Sequence, residues 1–122
     1  MNIEEYRDYC LAKPGTTEHT PFGPDTLVFK VMGKVYALTG LDSFEFINLK
    51  CDPEYAVELR EKYDGSIRPG YHMNKQQWNS VYTDGRVSDV LIKQLIDDSY
   101  NLIVDKLPKK LKEELKELNN EH

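Results

Sequence analysis

Apolar residues recur along this 122-residue chain at two alternating spacings, and each change of spacing marks an element. Near the start, Ile3, Tyr6, Cys10 and Leu11 fall on one helical face. Asn2 precedes them with Glu5 three residues on, as in a capping box, and "KPG" at Lys13 to Gly15 predicts the stop. The next stretch, "TTEHTPFGPD", is rich in turn formers and reads as a loop too polar for a core element. The spacing then shortens to alternation. "TLVFKVMGKVYALTGLDSFEFINLK" predicts three strands: Leu27 to Met32, Val35 to Leu41 and Phe44 to Lys50. A tight turn at "GK" joins the first two, and "DS" leads into the third. Connections this short force antiparallel neighbours.

Helical spacing returns in "CDPEYAVELREKYDG", where Asp52 caps and Pro53 takes the first helical position. Ala56, Val57, Leu59, Arg60 and Tyr63 form the expected inward stripe, with Gly65 as the exit. Ile67 to Tyr71 predicts a short strand that Pro69 confines to an edge, and Gln77 to Thr83 a firmer one closed by "TDG". Ser88 and Asp89 open the longest helix, whose stripe of Leu91, Ile92, Leu95, Ile96, Leu102 and Ile103 runs on toward Pro108. Residues 108–122 read as a charged helical tail, with Leu111, Leu115 and Leu118 at one spacing and a solvated Lys/Glu face. The expected fold is one α+β domain over residues 1–122. It has two layers, a five-stranded antiparallel sheet covered by helices on one face, in the order α-β-β-β-α-β-β-α.

Period-two alternation assigns the other face of that sheet. The sets Leu27, Phe29, Val31, then Ile47, Leu49, then Val81, Thr83 fit the covered side. Lys30, Phe46, Asn48, Lys50, Trp78 and Tyr82 would then share the opposite side, and a register slip of one residue would invert the assignment.

Composition narrows the class without naming a ligand. Hydrophobic residues make up 39% and charged residues 30%, as in an ordinary globular chain. No apolar run approaches the roughly 18–20 residues of a membrane span, and the N-terminus lacks the pattern of a signal peptide, so the expected setting is the cytoplasm, away from membranes. Net charge is −5, all of it in residues 1–64, where twelve acids face seven Lys and Arg; the remainder is balanced at nine each. That balance disfavours strong non-specific nucleic-acid binding but allows a local basic surface. Cys10 and Cys51 stand alone, without zinc spacing, and read as small buried hydrophobes; no metal site or cofactor is expected. His19, His72 and His122 fit no catalytic spacing, and no nucleophile elbow or phosphate-binding glycine loop occurs, so no catalytic residue is assigned.

The unusual chemistry sits in "RPGYHMNKQQWNSVYTDGR", Arg68 to Arg86, which holds the only Trp together with two Tyr, amides and three cations in an otherwise acidic chain. Tyr71, His72, Asn74 and Lys75 form a loop able to grip an anion, leading into the strand of Trp78. A sheet face with rings, amides and lysines is one way to hold a single strand or a flat ligand. The competing reading packs Trp78 and Tyr82 into a second small core under the loops.

Five segments in order carry a resemblance: "YCLAKPGTTEHTPFG", "FKVMGKVYAL", "NLKCDPEYAVELRE", the "PGYHMNK…W" block and "LIDDSYNLIVDKLPKK". From about Met1 to Lys110 the chain resembles the MmcQ/YjbR family of small bacterial proteins. The resemblance implies the α-β-β-β-α-β-β-α domain of type III secretion chaperones and the label of a DNA-binding protein. Asn74, Lys75 and Trp78 match the family's block, as do Tyr71 and His72. Gln77 departs from it, since members often carry His directly before the Trp. The leading expectation is a non-enzymatic DNA-binding protein with Lys30, Lys50, His72, Lys75 and Trp78 as contact surface. A module that binds a protein partner, and a small-molecule binder using the His72 to Trp78 loop, are the alternatives.

Overall fold

Six antiparallel strands in the order β1-β2-β3-β4-β6-β5 carry four helices on one side in the computed structural model, which describes residues 1–120. Positions 121 and 122, and with them His122 and the end of the expected tail, lie outside the described residues. Helix α1 (Ile3–Leu11) has the expected capping box: Asn2 Oδ1 accepts from the Glu5 N–H at 2.8 Å, and the Asn2 N–H donates to Glu5 Oε1 at 3.4 Å.

The stretch expected to be only loop instead supplies β1 (Thr16–His19), a sixth strand paired to β2 alone. An edge strand with one neighbour needs no apolar side, and β1 has none, so hydrophobic alternation carried no sign of it. Strands β2 (Thr26–Val31) and β3 (Lys34–Gly40) meet at Met32–Gly33, one residue earlier than "GK". Both turn residues have positive φ, 49° and 85°, the requirement of a type I′ hairpin. A bulge at Phe29/Lys30 leaves Tyr36 unpaired, so Tyr36 and Ala37 are both buried, and the Tyr36 hydroxyl donates to the Cys10 carbonyl at 3.2 Å.

Strand β4 (Phe46–Lys50) starts two residues later than expected, because Phe44 adopts φ 42° and its ring lies against Tyr6 at 5.5 Å. Helix α2 (Pro53–Lys62) is capped by Asp52, which accepts from the Tyr55 N–H. Its inward stripe is narrower than expected: Ala56 and Leu59 are buried, Val57 is 48% exposed, and Arg60 reaches sideways to the sheet. Strands β5 (Ile67–Pro69) and β6 (Trp78–Tyr82) complete the sheet, with Pro69 on the edge.

Helix α3 (Asp89–Asp105), capped by Ser88, crosses the sheet. Its Ser99 ties two strands together by accepting from the Lys50 N–H at 2.9 Å and donating to the Tyr36 carbonyl at 2.6 Å. Helix α4 (Lys109–Asn120) buries Leu115 against Gly15, where a Cβ would stand 2.7 Å from Leu115 Cδ1; Gly15 also has φ +73°, so glycine is required twice over. The core gathers side chains from all four helices and one sheet face, among them Tyr6, Phe29, Ile47, Leu59, Ile96 and Leu115. Cys10 and Cys51 are buried and free, and burial pushes their thiols up to about 12 and about 11. For Cys51 the carboxylates of Asp98 and Asp52 add to burial, and Arg60 pulls the other way. No helix of the described residues is long and apolar enough to cross a membrane.

Candidate functional site

The helix-free face of the sheet is built from paired residues: Phe46 opposite Tyr82, Asn48 opposite Ser80 and Lys50 opposite Trp78. Their alternates Ile47, Leu49 and Val81 belong to the core, so the pleat sets the two faces as the alternation indicates. What alternation does not reveal is the loop of residues 70–77, which folds back onto this face. Gly70 donates its N–H to the Trp78 carbonyl at 2.8 Å, and a Cβ at Gly70 would lie 2.7 Å from Trp78 Cβ. Only glycine permits that approach.

Tyr71 is then fixed through its backbone. Its N–H donates to Ser80 Oγ at 2.9 Å, its carbonyl accepts from Asn48 Nδ2 at 3.2 Å, and Ser80 Oγ donates to Asn48 Oδ1. The far end of the loop is held by Arg60, whose Nε donates to Asn79 Oδ1 at 2.7 Å and whose terminal nitrogen donates to the carbonyls of Lys75 and Trp78. Asn74 turns the chain by accepting from the Gln76 N–H at 2.9 Å.

This scaffold sets four rings in a row. His72 lies 4.0 Å from Tyr71, Tyr71 meets Phe46 edge-on at 5.9 Å, and Phe46 lies 5.3 Å from Tyr82. The Arg68 guanidinium sits 4.5 Å over the Tyr82 ring. His72 holds φ 58°, a left-handed conformation that histidine tolerates better than most side chains.

Two hollows flank the row. Beyond Tyr71 is a groove of about 470 Å³ lined chiefly by Phe22, Leu38, Phe46, Tyr71, His72 and Met73. Beyond Tyr82 is a shallower basin of about 480 Å³ whose charged residues are Arg68, Arg86, Asp84 and Glu45. In that basin Arg86 pairs with Asp84 at 2.8 Å and holds its carboxyl below the usual range, while Arg68 and Arg86 both donate to the Gly65 carbonyl.

The model of the YjbR family matches residues 11–102, three quarters of the chain. The chain belongs to the YjbR family. The Escherichia coli O157:H7 protein YbdF is 48% identical over 91 residues, 74% of each chain, and YjbR of Escherichia coli K12 is 34% identical over 119 residues, 97% of this chain and all of that one. Both are named as uncharacterized proteins. A crystal structure of the Deinococcus radiodurans protein DR2400 superposes with a TM-score of 0.89 at 38% identity, covering 94% of this chain and 88% of that one. A Pseudomonas syringae crystal structure gives a TM-score of 0.70 at 33% identity, covering 84% and 98%.

In this YjbR-family chain the expected contact residues separate. Tyr71 and His72 line the groove, and Asn74 serves its own loop. Trp78 is on the open face but only 9% exposed, with Gly70 packed against it, so it is not offered as a platform. Lys75 turns its amine to the Gly70 carbonyl at 3.3 Å. Lys50 is half-buried, and burial followed by the charge of Lys106 lowers its pKa. Lys30 is on β2, three strands from Trp78 on β6, about 14 Å away at the usual strand spacing. Of the expected contact surface of Lys30, Lys50, His72, Lys75 and Trp78, Lys50 and Lys75 thus stay near the indole, Lys50 as its cross-strand partner and Lys75 through Gly70, while Lys30 lies apart and His72 lines the groove. Arg68, Phe22, Leu38 and Met73 were not singled out from the sequence. Phe22 had one signal, an apolar ring between Pro21 and Gly23 in a polar loop. Among the described residues no group of three or more His, Cys, Asp or Glu could hold a metal ion.

Proposed function

We propose that this YjbR-family chain is a non-enzymatic nucleic-acid-binding protein that lays a short single strand of DNA across the open face of its sheet. The observation that carries the reading is the row of His72, Tyr71, Phe46 and Tyr82, closed by the guanidinium of Arg68. Ring platforms accept any base, because every base has a π face, and each stacked base is worth about 1–3 kcal/mol. Arg68, with Arg86 beside it, supplies donors for phosphate. The net charge of −5 and the acids of the same basin restrict the phosphate contacts to a few, so binding belongs to low salt. Duplex binding is disfavoured: stacked bases do not reach the rings, and α3, the longest helix, carries Asp89, Asp97, Asp98 and Asp105 against Lys93. The setting of this reading is the cytoplasm, which suits two free thiols.

Fluorescence anisotropy with labelled oligothymidine and with a duplex of equal length tests the reading across a salt series. The single strand is expected to bind at low salt and the duplex not. Combining Tyr71→Ala with Arg68→Glu should remove binding, whereas Lys75→Glu should leave it nearly intact. Absence of single-strand binding at low salt ends the proposal. A protein that copurifies after nuclease treatment would move the function to a protein-interaction module.

A further inference from the structure

We infer that the groove beyond Tyr71 is a pocket for one neutral, planar, apolar ring of a free small molecule. This goes beyond the nucleic-acid reading and does not rest on it. The two ends of the ring row differ in charge: the basin past Tyr82 has two guanidiniums and two carboxylates, while no Lys, Arg, Asp or Glu lines the groove. A phosphate, carboxylate or ammonium group entering the groove would lose hydration and meet no Lys, Arg, Asp or Glu of opposite charge.

Two polar side chains of the lining, Asn48 and Thr39, are already occupied. Asn48 uses its amide nitrogen on the Tyr71 carbonyl and its oxygen on Ser80, and Thr39 Oγ1 donates to the Phe46 carbonyl at 2.7 Å. The His72 imidazole also lines the groove, and among the described residues it makes no side-chain hydrogen bond. The remaining wall is Leu38, Phe46, Met73 and the rings of Phe22 and Tyr71, which are 74% and 59% exposed at the rim. A volume near 470 Å³ lies in the range of small-molecule sites. Flat rings satisfy this lining through ring contacts and the polarizable Met73 sulfur, with His72 free to meet one polar atom.

The test is an amide NMR titration of the full chain with three probes that share one ring: indole, indole-3-acetate and tryptamine. Indole should give saturable shifts confined to residues 22, 26, 38–40, 46–48 and 71–73, and both charged probes should bind at least about tenfold more weakly. Phe22→Ala, a change at an exposed rim residue, should weaken indole several-fold while the helix amides stay in place. Leu38→Trp, which fills the groove, should abolish the response. Non-saturating or scattered shifts overturn the inference, as does equal binding of the three probes or saturation in a second hollow, lined by Tyr55, Tyr63 and Leu91 between α2 and α3. Groove amides already covered in a self-associated form, seen as doubled mass by light scattering, overturn it too. A failure of oligonucleotide binding leaves every one of these outcomes readable.

Discussion

On the helix side of the sheet Phe29, Ile47, Leu49 and Val81 are between 0 and 2% exposed, and four helices close over them. The opposite phase of the sheet presents Leu38, Phe46 and Tyr82 to a face with no helix, covered in part by a loop of residues 70–77 and rimmed by Phe22. The first side excludes water chiefly with apolar side chains, among which Ser99 and the Tyr36 hydroxyl are satisfied by hydrogen bonds. The second encloses a polar pair, Asn48 and Ser80, and uses it to pin a backbone segment that carries rings outward. One pleat thus separates residues that hold the fold together from residues left available for contact.

The largest expected effect lies on the covered side. Phe29→Ala should lower the unfolding free energy by about 3–5 kcal/mol in urea, and Phe46→Ala, half-buried on the open side, by about 1 kcal/mol. Equal losses would erase the distinction between the faces. Next comes alkali. Burial raises the Cys10 thiol to about 12 from 9.0, so the folded state keeps a proton that the unfolded chain releases. The stabilising contribution is complete below about pH 9 and is lost toward pH 12, at about 1.4 kcal/mol per pH unit. Chemical denaturation of wild type and Cys10→Ala across that window should show the steeper decline in wild type; parallel curves would remove Cys10 as the cause. Ser80→Ala leaves the Tyr71 N–H and Asn48 Oδ1 without their partner and should cost about 1–3 kcal/mol. Hydrogen exchange at Tyr71 should speed up more than at Ile47; a uniform change would mean that the pair serves the whole sheet and not the loop. The smallest effect on stability belongs to Tyr71→Ala, within about 0.5 kcal/mol, as for an exposed residue. Its melting temperature should stay near wild type while single-strand binding falls, and a large drop in melting temperature would make the ring structural.

Much of the scaffold is readable in the chain because local chemistry and global fold agree. Asn2, Asp52 and Ser88 each accept the hydrogen bond their position announces, and the alternation of Ile47 and Leu49 with Asn48 fixes the faces. Strand β1 escapes notice because an edge strand held by backbone pairing needs no apolar residue. The candidate site is legible only in part. Pleat parity tells where Trp78 points but not what covers it, and the cover depends on the absence of a side chain at Gly70, eight residues away. Arg60 is hidden for a similar reason: on a helix wheel it adjoins the apolar stripe, while its function is to reach three acceptors at the end of a neighbouring strand. Lysines are the obvious cations, yet Lys50 is half-buried, Lys75 turns its amine to a backbone carbonyl, and in the ring row it is Arg68 that lies over a ring.

The enclosed indole has a practical consequence. As the sole tryptophan, Trp78 makes the intrinsic emission of the molecule a gauge of one lid, with no dye or label attached. A guest that draws the Gly70 segment away from the indole should shift that emission to longer wavelength, and one that leaves the segment in place should leave the colour unchanged.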